Sequence, residues 1–455
     1  MIQSLLLGVA AWLAVCPPEP TWTVETTADY KKVYDGERYE NYNLFRLRLA
    51  GAGVACIDWG DGTVQMLWLS SLPEDSAGFG IPLSHRYRQG GGFCYSVRIV
   101  GWGGGVERFA CASLSNSENG YADLRLVNCT RLRRLDCSGN KWRKLETAQA
   151  PALEVLDCGS NRLAELDLSR CPALTDLDCG SNKLEQLDLS RCPKLTDLDC
   201  GSNRLAELDL SRCPKLRKLD CSGNGLNRLN LSGCSALTEL FCGENVLGRL
   251  EVGGFPNLET LACGDTELKE LDVSRNPKLA TLFCERNEIR ALDVGQNGRL
   301  EALDCSTNEL EELDVSRCPA LTRLECRGNR LKELDLSRCP LLDLLECGSN
   351  ELTALELASC PRMEILKLSA NRLTQLDITP CPKLFYLDCS ENPLTPEAQE
   401  RIVAALPDWT GVPDLSGLVL LDDISKRNRE AVEAKGWELV TDRWKGASEE
   451  EEESE

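Results

Sequence analysis

Cysteine recurs every 21 residues, at positions 137, 158, 179, 200, 221, 242, 263, 284, 305, 326 and 347, with no insertion or deletion between them. Leu368 takes the next place and Cys389 the one after. Leucine stands two positions earlier on every rung, from Leu135 through Leu156 and Leu177 to Leu387. Asparagine stands three positions later, from Asn140 to Asn392, broken only at Thr266. A unit this short cannot bury its own apolar side. Stacked units can, so the period demands a coil laid upon a coil around one continuous core.

One unit runs from Leu153 to Ala173. Successive side chains of a strand face opposite ways. Leu156 and Cys158 therefore point inward, and Val155 and Asp157 outward. Asn161 falls at the turn, where its amide can bond backbone groups freed by the bend. Leu163, Leu166, Leu168 and Leu174 complete the interior. Leu166, Asp167 and Leu168 repeat the alternation, which predicts a second short extended segment on the other side of each coil.

The pattern LxxLxCxxNxL resembles the leucine-rich-repeat family, over residues 106–395. The 21-residue form LDCSxNxLxxLDLSxCP is similar to that of bacterial cell-surface repeat proteins, and distantly to internalins. The resemblance implies a mainly β fold: a right-handed parallel-β solenoid of about thirteen coils, with partners bound on the strand face.

There are 25 cysteines. Many form a second ladder of the same period, at 129, 171, 192, 213, 234, 318, 339, 360 and 381, in which Phe255, Asn276 and Asn297 substitute without disturbing the step. A position that accepts Phe or Asn is neither an obligatory metal ligand nor a disulfide partner. These cysteines read as small buried apolar residues. Zinc would want close CxxC pairs, and there are none. Parallel side chains on adjacent rungs do not readily meet disulfide geometry. Many unpaired thiols fit a compartment that does not force oxidation, or an exported chain whose burial protects them. A bridge among Cys56, Cys94 and Cys111, outside the regular ladder, stays open.

The formal charge is −21, from 72 acidic against 51 basic residues. That argues against nucleic acid as a partner, because phosphate binding needs clustered Lys and Arg. His85 is the single histidine. Ser-His-Asp triads, His-based proton transfer and multi-His metal sites are thereby disfavoured. The expectation is no catalytic residues, no cofactor and no metal.

Residues 1–19 read as an export signal or lipoprotein leader. An apolar stretch too short to span a bilayer precedes Cys16. Leu13-Ala14-Val15-Cys16 resembles a bacterial lipoprotein processing site, which makes Cys16 the lipidation candidate and implies a lipid anchor. Val15 departs from the small residue expected there, and no Lys or Arg precedes the stretch.

Residues 20–105 do not repeat. Alternating segments with turn residues between them predict a small β-sandwich. Asp58-Trp59-Gly60-Asp61-Gly62-Thr63 and the later His85-Arg86-Tyr87 resemble motifs of PKD-type immunoglobulin-like domains. That likeness implies an extracellular spacer or adhesion module, with Asp58 and Asp61 in a tight turn and His85 packed structurally.

After Asn392 the period stops. Residues 396–445 read as a mixed α/β cap: a helix from Pro396 to Leu406 with Thr395 as its N-cap, a strand over 417–421, a second helix over 424–435 ended by Gly436, and a strand over 437–440. The acidic run at 446–455 predicts a disordered tail.

Outward strand positions set what such a scaffold binds. The column after the inward leucine reads Asp136, Asp157, Asp178, Asp199 and Asp220, then Phe241, Ala262 and Phe283, then Asp304, Glu325, Glu346, Lys367 and Asp388. Two positions earlier stand Glu239, Thr260, Thr281 and Ala302. Aromatic anchors framed by polar residues are what interface hot spots look like. Phe241, Phe283, Glu239, Thr281 and Ala302 are therefore the candidate binding centre. Repeat drift, with the rings covered by neighbours, is the competing explanation. Leu344, Ile365, Phe385 and Tyr386 make a second apolar patch.

The function expected is a non-enzymatic, monomeric binding or adhesion scaffold displayed outside the bacterial cytoplasm, at the cell surface or in the periplasm. Its ligand would be a protein or peptide, with a glycan left open. The alternative is an intracellular repeat scaffold or effector with reduced cysteines. A carboxylate enzyme such as a glycosidase is the weakest reading, because the acidic residues are periodic and no pair is singled out.

Overall fold

The structure, a computed structural model, describes residues 22–29, 44–58, 64–69, 81–86, 94–111, 120–410, 417–421 and 425–440. Cys16, the stretch 59–63 of the tight-turn motif and the acidic tail lie outside these residues, as does the side chain of His85. The chain divides into two compact units, Met1–Ala236 and Leu237–Glu455.

The first unit opens with an antiparallel sheet of β1 (Trp22–Asp29), β2 (Leu44–Asp58), β3 (Val64–Leu69), β4 (Ile81–Arg86), β5 (Cys94–Ala110) and β6 (Gly120–Val127). β1 lies between β5 and β6, and β2 pairs with β5, β3 and β4. The coil begins at β7 (Arg134–Asp136) and continues through β8 (Val155–Asp157), β9 (Asp176–Asp178), β10 (Asp197–Asp199) and β11 (Lys218–Asp220). β7 runs parallel to the end of β5, with Phe109 opposite Leu135. Phe109 is fully buried. The first coil thus lays its open core against a finished sheet.

The second unit carries β12 (Glu239–Phe241), β13 (Thr260–Ala262), β14 (Thr281–Phe283), β15 (Ala302–Asp304), β16 (Arg323–Glu325), β17 (Leu344–Glu346), β18 (Ile365–Lys367) and β19 (Tyr386–Asp388). In both units the coil strands pair in parallel, each residue opposite the one 21 positions on, as in Leu177↔Leu198 and Leu261↔Leu282. The middle leucine of each strand is buried and its neighbours are partly open, so the solenoid expected from the period is the fold.

The asparagines lock the turns. Asn182 Nδ2 lies within hydrogen-bond distance of the carbonyls of Cys158, Cys179 and Gly180, and its Oδ1 accepts from the Leu163 N–H. One side chain therefore ties its own bend to the preceding coil. Thr266 does part of this work: its Oγ1 donates to the Cys263 carbonyl at 2.6 Å.

The second segment keeps the expected alternation, with Leu166 and Leu168 buried and Asp167 exposed, but among the described residues it does not pair into strands. On that side, Asp209 and Asn230 make an isolated parallel bridge. The peptide groups there are spent in turns instead. Ser169 N–H donates to Asp167 Oδ1, and Cys171 N–H to the Leu168 carbonyl.

The cap follows the sequence expectation closely. α1 (Pro396–Ala405) starts at Thr395, whose hydroxyl accepts the Ala398 N–H, and α2 (Lys426–Ala434) starts at Ser425 in the same way. The two helices alternate with β20 (Gly417–Leu420) and β21 (Trp437–Val440), which pair in parallel beyond β19. The chain leaves α2 through Gly436 at φ 77°, a conformation that suits glycine.

Candidate functional site

The outward face of β12 to β15 holds all five candidate residues. In one column Phe241 stands opposite Ala262, Ala262 opposite Phe283, and Phe283 opposite Asp304. In the other, Glu239, Thr260, Thr281 and Ala302 follow one another in register. Adjacent strands are spaced about 4.8 Å apart, so the two rings sit two strands apart with Ala262 leaving room between them. All of these side chains are half-buried, so neither ring is wholly covered nor wholly open. Val246, in the turn after β12, is more exposed, and sequence reasoning did not single it out.

The second apolar patch is also in register. Leu344 stands opposite Ile365, and Ile365 opposite Tyr386, with Phe385 one residue before. Lys367 Nζ donates to Glu346 Oε2 at 2.8 Å and lies 6.0 Å from the Tyr386 ring centre.

In the first unit the same column is an acidic ladder. Asp157, Asp178, Asp199 and Asp220 stack in register and line a groove of about 710 Å³ with Ser138, Ser160 and Ser181 among its walls. Each carboxylate accepts the N–H two residues on, as Asp178 Oδ1 does from Gly180 at 3.0 Å. Burial, then the charges of Asp136 and Asp178 on either side, raises the pKa of Asp157 to about 6. Burial raises those of Asp178 and Asp199 as well. Among the described residues no group of three or more His, Cys, Asp or Glu is placed to hold a metal ion.

The Asp167-type column on the other side behaves oppositely. Hydrogen bonds from Ser169, and to a smaller degree Arg170, hold Asp167 below the ordinary carboxylate range. Asp188 and Asp209 follow the same pattern with Ser190 and Ser211.

The cysteines of both ladders are buried, and none of them is in a disulfide. Neither Cys56 nor Cys111 is in a disulfide, so neither forms the bridge left open by the sequence. The second ladder is more than apolar filling. Cys192 Sγ faces the Cys171 carbonyl at 3.9 Å, and Cys360 Sγ faces that of Cys339 at 3.7 Å. Where asparagine substitutes, its amide does the same more strongly: Asn276 Nδ2 donates to the Val252 and Phe255 carbonyls. The position therefore favours a small donor toward the preceding coil.

Comparison with known proteins agrees with this geometry. The family described as Leucine Rich repeats (2 copies) matches residues 151–191. No curated protein sequence matches the chain. The functional domain of InlJ from Listeria monocytogenes, which includes a cysteine ladder, is similar at 30% identity and TM-score 0.59, over 64% of this chain and 65% of that one. This chain thus spans just under two thirds of that relative's length. A leucine-rich-repeat protein of Leptospira interrogans is similar at 25% identity and TM-score 0.58, over 61% of this chain and 77% of its own. The leucine-rich effector protein YopM from Yersinia pestis is similar at 28% identity and TM-score 0.50, over 58% of this chain and 74% of its own.

Proposed function

We propose that the chain is a non-enzymatic binding or adhesion scaffold that takes a protein or peptide partner on the outward face of β12 to β15. The observation that carries this reading is the in-register meeting of Phe241 and Phe283 with Glu239, Thr281 and Ala302 on four consecutive strands. A half-buried aromatic pair with polar neighbours suits an interface centre, where water is excluded around a few anchors. Similarity to InlJ and to an effector of Yersinia pestis supports a scaffold rather than an enzyme.

Display outside the bacterial cytoplasm, with a lipid anchor at Cys16 and the N-terminal sheet as spacer, is the second part of the proposal. Burial of the ladder thiols supports it, because a buried thiol is shielded from an oxidising compartment. Replacing Phe241 and Phe283 together by Ser and measuring partner capture tests the face; undiminished capture removes it. Acyl labelling of the chain and of Cys16→Ala tests the anchor, which is lost if label is absent from both.

A further inference from the structure

The charges around Phe283 narrow the partner. In the strands beyond it, cations of the chain already serve the acidic column. Arg323 pairs with Glu325, and Lys367 with Glu346 at 2.8 Å, while Arg327 stands 3.9 Å from Glu346. Nearer the ring the pattern stops. Among the described residues neither Asp304 nor Glu285 has a cation within 4.0 Å, although Arg286 is next to Glu285 in sequence. Asp304 Oδ1 accepts the Ser306 N–H at 2.9 Å, which leaves Oδ2 open.

Glu285 is the less ordinary of the two. Its carboxylate is folded down onto the bare backbone of Gly264, so that a Cβ there would collide with Oε1. Oε2 is buried and has no hydrogen-bond partner. Burial holds the carboxyl above its usual range. Oε2 is closed off from the surface, so what this face offers a partner is the unpaired negative charge of Glu285 and Asp304 rather than an open lone pair on Oε2.

We propose that this face, read above as the partner surface, receives a lysine or arginine side chain of a protein partner, with its stem on the Phe283 ring and its charged head between Glu285 and Asp304. Long basic side chains bury an apolar stem while keeping the head polar, which is the mixture this surface offers. A cation near a ring face gains further attraction. A purely apolar anchor would cover the two carboxylates without offsetting their charge. A calcium ion would need six to eight oxygens, and two carboxylates fall short.

The inference rests on the partner face, and the test separates the two. A displayed library of random peptides is selected against the full chain, and binders are re-measured on Phe283→Ser, Glu285→Gln and Asp304→Asn, each checked for an unchanged unfolding midpoint. The expected result is enrichment of Lys or Arg beside an apolar residue. Affinity should fall about tenfold or more with either acidic replacement, and it should weaken with salt. Binders that need Phe283 but lack Lys and Arg, or ignore both acidic replacements, overturn the inference and leave the partner face standing. A library that yields no binder weakened by Phe283→Ser removes both.

Discussion

Asp178 fills the place where Gly159 has no side chain: a Cβ at 159 would lie 2.7 Å from Asp178 Oδ1. The same relation links Gly180 to Asp199, again at 2.7 Å. The glycines of this column therefore let each carboxylate rest on the coil before it. Gly180→Ala should cost about 1–3 kcal/mol, as overpacking does. Gly180→Ser should cost less, because Ser138 already occupies the equivalent place below Asp157, with its hydroxyl donating to Asp136 Oδ1 at 2.8 Å. Urea midpoints of the two variants check the order; equal losses would contradict it.

The stacked carboxylates make stability depend on pH with a definite sign. A carboxyl whose pKa is higher folded than unfolded binds its proton more tightly in the folded chain, so folding gains as pH falls through the folded value. Asp157, at about 6, places this gain between pH 7 and pH 5, and Asp178 and Asp199 add to it. Asp167, Asp188 and Asp209 act oppositely, since their pKa values are lowered and their contribution is lost only below about pH 4. The unfolding midpoint should therefore rise from pH 7 to pH 5 and fall again at lower pH. Asp157→Asn, which can still accept the Gly159 N–H, should be more stable than the parent at pH 7 and respond less to acid.

The asparagine ladder invites a graded test. Asn182→Ala strips contacts to three carbonyls and one N–H and should cost about 3 kcal/mol or more. Asn182→Thr should lose roughly half as much, because a hydroxyl can reach the local carbonyl as Thr266 does. Chemical denaturation of both variants measures the difference.

The ladder thiols should stay silent in the folded chain. Burial pushes Cys192 up to about 12 and Cys213 up to about 11, leaving almost no thiolate at pH 8. A thiol reagent should label them only on unfolding, so label uptake in urea should track the loss of secondary structure. Prompt labelling of the ladder in native buffer would contradict the burial.

The inward leucines, the turn asparagines and the caps at Thr395 and Pro396 were legible because each depends on local chemistry repeated at a fixed step. The hydrogen-bonding role of the second cysteine ladder was not. In the sequence Asn276 and Asn297, like Phe255, show only that the position is no obligatory ligand or disulfide partner, and it is the closeness of the preceding coil that shows both asparagines donating to its carbonyls. Glu285 was hidden for the same reason. Its contact with Gly264 lies one full coil away, although a glutamate in a column otherwise filled by Gly and Ser up to that point was a visible signal. The second segment of the coil shows the converse: the expected alternation at 166–168 is present, but Asp167 and Ser169 bend the chain before it can pair.

Because ladder asparagines such as Asn161, Asn182 and Asn308 grip the coil immediately before them in their own unit, a coil that lets go robs only its neighbour. Within either unit, disassembly should begin at a frayed end and travel like an opening zipper, one 21-residue tooth at a time. A chain pulled slowly from its C-terminus would then lengthen in even increments once the terminal helices had come away.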